Sequence, residues 1–109
     1  MRPSSEEVMG KLDTGYIDEE LKDLKYDHAN HFVQMIYGDP VGNETDCTIT
    51  FRDCLSVTIN KWHTGKISFY FHEITIEDIE IDGIQFYKCN MVIPMMDCQI
   101  TCQTIEINN

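Results

Sequence analysis

Basic residues are scarce. Eight Lys and Arg stand against nineteen Asp and Glu in 109 residues, for a formal net charge of −11. A nucleic-acid binder needs a basic footprint, so this scarcity argues against DNA or RNA as a partner. Long apolar runs are missing too. No stretch reaches the ~18 residues of a membrane-spanning helix. The opening MRPSSEEVMGKLDTG has no apolar core of the kind a secretory signal carries. No membrane partner is expected. CxxC, HExxH, His-rich tracts and Gly-rich phosphate loops are all absent, which removes the usual zinc and nucleotide signatures. No internal repeat and no helical period long enough for a βαβ unit are visible.

What is present is a globular composition. Apolar residues make up 42% and aromatics 10%, too much for a disordered acidic tail. The length suits one domain. The five cysteines at 47, 54, 89, 98 and 102 are odd in number and irregular in spacing. They read as reduced thiols of a cytoplasmic protein, packed as small hydrophobes. A disulfide-stapled secreted domain is the alternative.

Residues 1–15 read as a loosely structured N-terminal arm. It has a short helical turn over Ser5–Lys11, capped by Ser4 or Ser5, with Glu6 and Glu7 in its first turn. Tyr16–Leu24 fits a short helix or the approach to a first strand. From there the pattern is β. His31–Tyr37 is rich in aromatic and branched residues and stops at Gly38-Asp39-Pro40. Asp46–Arg52 and Cys54–Trp62 each alternate cleanly, and a tight hairpin is expected at Asp53. His63–Lys66 is a turn, and Ile67, Phe69 and Phe71 form the next inward face. Ile74–Asp82 ends in Asp82-Gly83, a type I′ signal. Ile84–Ile93 returns and Pro94 stops it. In Asp97–Ile107 the apolar phase changes, and a bulge near Gln103–Thr104 restores one buried face.

Six to eight short strands with one wet face follow. The expected fold is mainly β (a β-rich α+β fold being the variant). It takes the form of a curved antiparallel meander sheet, a small sandwich or a half-open barrel, with at most a short N-terminal helix. Residues 16–109 form the single antiparallel domain.

In Glu77–Asp82, a strand places Asp78, Glu80 and Asp82 on one face, about 6.6 Å apart, with Ile79 and Ile81 anchoring the other. Such a line imitates a nucleic-acid backbone towards a basic groove; it equally serves as a charged edge that blocks aggregation. Asp18-Glu19-Glu20 with Asp23 is a second acidic run. Asp27-His28-Ala29-Asn30-His31 concentrates polar chemistry. On a strand, His28 and His31 point apart; a turn brings them together, with further ligands from His63, His72 or a cysteine. Otherwise Asp27 and Asn30 make turn hydrogen bonds. No cofactor or metal is expected, and His28 and His31 are the residues a metal would use. Cys54 is the cysteine nearest a turn, but Asp53 beside it raises its pKa. The EF-hand echo at 78–83 fails at its closing position, Cys89. Trp62, Tyr70, His72 and Tyr87 suit an exposed aromatic patch or a second core.

In size, cysteine usage, β pattern and the acidic runs at 18–23 and 77–82, the chain resembles the small acidic immunity proteins of bacteria. That resemblance implies a non-enzymatic inhibitor that binds a cognate toxin, a basic protein and often a nuclease, and occupies its substrate groove. Opposite charge speeds such capture. The implied contacts are Asp78, Glu80 and Asp82, then Glu19, Glu20 and Asp23, with Trp62 or Tyr70 as an aromatic anchor. Two other classes stay open: a phage-type nucleic-acid mimic, and a small metal- or ligand-binding enzyme using Asp27, His28 and His31. Sequence does not decide the oligomeric state.

Overall fold

The computed structural model describes residues 3–12, 16–39, 41–42, 46–61 and 69–108. Trp62, the turn at His63–Lys66 and Ile67 lie outside the described residues. One helix and six strands follow in order: α1 (Ser5–Gly10), β1 (Tyr16–Asp27), β2 (Phe32–Gly38), β3 (Cys47–Lys61), β4 (Phe69–Ile81), β5 (Ile84–Ile93) and β6 (Met96–Asn108). The strands lie in the order β1-β2-β3-β6-β5-β4, every pair is antiparallel, and β4 returns to β1, so the sheet closes into a ring. The mainly β, antiparallel architecture with one short N-terminal helix is thus what the sequence pattern leads one to expect.

The ring surrounds one core. Val33, Met35, Ile49, Phe51, Phe71, Ile74, Cys89, Ile100 and Cys102 are buried in it. Alternation supplies these side chains, since every second residue of a strand faces the same way. Val33, Met35 and Tyr37 pair with Phe51, Ile49 and Cys47 across β2 and β3, all on the inner face.

The hairpin expected at Asp53 does not exist: β3 runs straight through it and stays paired with β6 from Thr48 to Lys61. Asp53 takes a left-handed conformation, φ 55°, which Asp tolerates better than most side chains. The inner face shifts from Phe51 to Cys54 there. Opposite, β6 makes the same shift between Cys102 and Ile105, with Gln103 and Thr104 exposed. The phase change at Gln103–Thr104 is therefore half of a paired corner at which both strands shift their buried parity, and not the expected bulge, since β6 carries no extra residue there. The register slip itself falls between Cys54 and Ser56. It leaves Leu55 as the extra residue, turned to solvent.

The seam between β1 and β4 is short. Glu19, Glu20 and Leu21 pair with Phe71, Tyr70 and Phe69, and beyond a register shift Tyr16 pairs with Glu73. The rest of β4 continues to Ile81 without β1 beside it. Helix α1 packs there instead. Ser4 caps it in extended conformation, its Oγ accepting from the Glu7 N–H at 3.2 Å, with Glu6 and Glu7 in the positive first turn. Six residues are too few for a helix to persist alone. Val8 is 1% exposed in the core, with Met9 and Leu12 packed beside it. The Ser5 N–H donates to Asp78 Oδ2 at 3.0 Å, and the Tyr87 hydroxyl donates to the Pro3 carbonyl. The segment expected to form the arm thus contributes a core residue and two polar ties to the ring.

Truncating Val8 to Ala should cost about 1–3 kcal/mol, from lost apolar burial plus the cavity left behind. The urea midpoint should fall with an unchanged m-value. An unchanged midpoint would show that α1 is not part of the folded unit.

Candidate functional site

The β4–β5 hairpin carries the first acidic run. Asp82 and Gly83 have φ of 51° and 79°, the two left-handed residues of the expected type I′ turn. Asp82 therefore sits in the turn, past the end of β4. Asp78 pairs with Tyr87 and Glu80 with Gln85. Tyr87 and Ile76 are buried on the inner face, so Asp78 and Glu80 continue that face beyond the core, on the side where α1 lies. A groove of about 550 Å³ runs between them, lined by Glu7, Asp78, Glu80, Gln85, Pro3 and Ser4. Three carboxylates thus border one groove, with Asp82 exposed beyond it at the turn.

Ile79 and Ile81 do take the opposite face, paired with Phe86 and Ile84. Ile79 is half-buried opposite the buried Phe86, but Ile81 does not anchor that face: Ile81 and Ile84 are 37% and 49% exposed. Tyr87 does not join a surface patch either. It is 1% exposed and bonded to Pro3, because the apolar residues of β5 occupy both parities and Tyr87 falls on the inner one.

The second run is divided by the sheet. Glu20 pairs with Tyr70 on the outer face, and Asp23 lies beyond the bulge at Lys22. Glu19 pairs with the buried Phe71 and is half-buried on the inner face. Burial chiefly pushes Tyr37 and Cys47 above their ordinary pKa values; the Cys47 thiol adds to the effect at Tyr37, and the Glu19 charge adds a smaller push at both. Glu20 and Asp23 border a second cleft, of about 640 Å³, together with Lys22, Lys61 and Phe69. Lys22 Nζ bonds Asp46 Oδ1 at 2.6 Å, and Lys61 stands 5.7 Å over the Phe69 ring. This cleft therefore mixes both charges. Tyr70 is 42% exposed, its ring 5.4 Å from that of His72, whose Nδ1 meets Asp18 Oδ1 at 2.5 Å. Tyr70 and Asp78 lie eight residues apart on β4, roughly 26 Å along the strand. The two acidic runs lie at opposite ends of β4, the second on β1 beside it, and only Glu19 of that second run shares the face of Asp78 and Glu80. Trp62, the other expected anchor, lies outside the described residues.

Asp27–His31 forms the turn between β1 and β2. The Asp27 carboxylate accepts from Asn30 N at 3.1 Å and from Asn30 Nδ2 at 2.9 Å; the Asn30 side chain above all lowers its pKa. His31 adopts φ 56°, and the two imidazoles come within 6.1 Å, edge to face. The Tyr26 hydroxyl lies 3.1 Å from His28 Nδ1. Among the described residues no group of three or more His, Cys, Asp or Glu converges as a metal site.

The cysteines are free thiols, all buried except the half-buried Cys54. Burial pushes Cys54 up to about 11 and Cys98 up to about 12; a Cys102 thiol and then Asp53 add to the effect at Cys54. Cys89 is raised by its hydrogen bond with Cys102 and by burial. Thiols so held are poor nucleophiles. They also hold their protons in the folded state when the unfolded chain gives them up. Stability should be complete below about pH 9 and decline as pH rises towards 11–12. Thermal melts across this range check it, with a Cys98→Ala variant expected to show a shallower alkaline decline. A decline as steep as the parent's would remove the thiol explanation.

An antiparallel ring, a surplus of carboxylates and an acid-lined groove define a small acidic β protein. The chain matches the family Immunity protein PIM7 over residues 4–109 and belongs to it. No curated protein matches it. The resemblance to toxin-immunity proteins is thereby borne out at the level of the family, and an immunity role follows in general terms, with a toxin as the partner.

Proposed function

We propose that this protein neutralises one cognate toxin by stoichiometric binding, without catalysis. The acidic end of the β4–β5 hairpin enters a basic substrate groove on the toxin, a nuclease in the favoured case. Family membership carries the immunity part of this reading. The groove bordered by Glu7, Asp78 and Glu80 carries the rest. Its carboxylates stand where the phosphates of a nucleic acid would otherwise be gripped, and a net charge of −11 accelerates capture. The principal contacts are Asp78, Glu80 and Asp82. Glu20, Asp23 and Tyr70 form a secondary patch at the far end of β4. Glu19 contributes through its charge from the inner face. A basic protein partner of this kind acts in the cytoplasm, and neither nucleic acid nor membrane is part of the complex.

The test is protection from a candidate toxin domain, sought among the genes that flank this one and co-expressed in a sensitive host. The wild-type chain should restore growth. A triple variant, Asp78→Asn, Glu80→Gln and Asp82→Asn, keeps the shapes and most hydrogen-bond acceptors while removing three charges. It should fold normally and lose protection. Glu20→Gln with Asp23→Asn should lose less. Full protection by the triple variant would end the groove mechanism.

A further inference from the structure

Residues Ile79–Phe86 stand as a two-stranded arm. β1 pairs with β4 no further than Glu73, and β6 pairs with β5 only from Tyr87 onward. Between those limits each strand of the hairpin has the other as its one described strand neighbour. An isolated two-stranded hairpin is marginal in water. This one nevertheless devotes its outer face to apolar residues: Ile79 opposite Phe86, and Ile81 opposite Ile84. Phe86 is 5% exposed, although it stands apart from the ring's main core cluster. Ile81 and Ile84 at the tip are among the exposed large hydrophobics. The type I′ turn at Asp82-Gly83 fixes the tip, so the arm is preorganised and loses little freedom on binding.

We infer that this apolar face is the anchor of the toxin interface. It seats Ile81 and Ile84 in an apolar pocket whose rim carries Lys or Arg. The inference rests on the proposed inhibitor reading and adds to it the source of complex lifetime. Charge complementarity selects the occupant. Asp82 lies at the turn between the two isoleucines, and Glu80 and Asp78 stand on the other face of the same narrow arm, within reach of a rim that encloses it. A second copy of this chain would bring two net charges of −11 together, whereas a basic partner is attracted. The division of labour follows. Carboxylates set the rate of encounter and its salt dependence, and the desolvated isoleucines set the rate of escape.

The test measures association and dissociation rates with the purified toxin domain against which this chain protects in the growth test. It is run at low salt and at about 1 M salt, where the Debye length is ~3 Å. Ile81→Thr with Ile84→Thr keeps β-branching and strand preference. Val92→Thr, at another exposed apolar position on β5, is the control; where the double variant melts early, Ile84→Thr alone is read. The double variant should dissociate roughly 10- to 100-fold faster, the size expected for two central apolar contacts. Its association rate and salt slope should be unchanged, and Val92→Thr should behave as wild type. Glu80→Gln with Asp82→Asn should slow association and flatten the salt slope. A wild-type dissociation rate in the isoleucine variants, with the charge variant still impaired, overturns the anchor and leaves the inhibitor reading standing. Indifference to both sets overturns both. A concentration-dependent dimer of the free chain that Ile84→Thr abolishes would assign the face to a second copy and also overturn the anchor.

Discussion

Closure of the ring over only part of β4 is the constraint on which the rest depends. β1 meets β4 from Tyr16 to Leu21 and no further. Closing a sheet removes the open edges that invite aggregation, but here the far half of β4 keeps one. Two devices deal with it. Helix α1 lies against β4, inserts Val8 into the core and ties Ser5 to Asp78. Past the helix, charge takes over, with Asp78, Glu80 and Asp82 exposed at the end of the hairpin. The same carboxylates that keep an open edge soluble are well placed to meet a cationic partner, so the protective and the binding explanations of this strand are compatible.

The second acidic run does a different job. Lys22 occupies the bulge in β1 and reaches Asp46 and the Gly42 carbonyl, at 2.6 and 2.5 Å. Gly38 stands so close to Asp46 that a Cβ there would lie 2.3 Å from its Oδ1. Glu19 turns inward beside Phe71. Lys22 within this run therefore ties β1 to the β2–β3 connection, Asp18 meets His72, and the cleft bordered by Glu20 and Asp23 also carries two lysines. The groove at the hairpin end is lined by three carboxylates and by no lysine, which is why it is the stronger candidate interface.

Local signals were legible in the sequence where one residue type has one structural use. Ser4 before Glu6 and Glu7 gave the helix start, and Asp82-Gly83 gave the type I′ turn. The displaced parity of Ile105 and Ile107 gave the change of phase at Gln103–Thr104. Asp53 was misleading because period-2 alternation on both sides of a break is the same for two strands and for one bent strand. A matching phase change in Asp97–Ile107 was the available clue to a shared corner. Tyr87 was ambiguous because Ile84, Phe86 and Val92 on one parity compete with Tyr87, Cys89 and Met91 on the other. Only the ring shows which parity faces inward. Glu19 and Glu20 looked equivalent because a run of like charge carries no record of which member the pleat turns inside. The turn at Asp27–His31 was legible as an Asn–Asp hydrogen-bonded turn, and its two histidines meet because His31 adopts a left-handed backbone.

The central claim is that the projecting end of the β4–β5 hairpin meets the toxin. Hydrogen exchange of the chain, free and in complex with its cognate toxin domain, tests this most directly. The account predicts new protection centred on Ile79–Phe86 and the adjacent start of α1, with a smaller change at the amides of Glu20–Asp27. Protection confined to β1 and the cleft beside Lys61, with the hairpin exchanging as in the free protein, would contradict it.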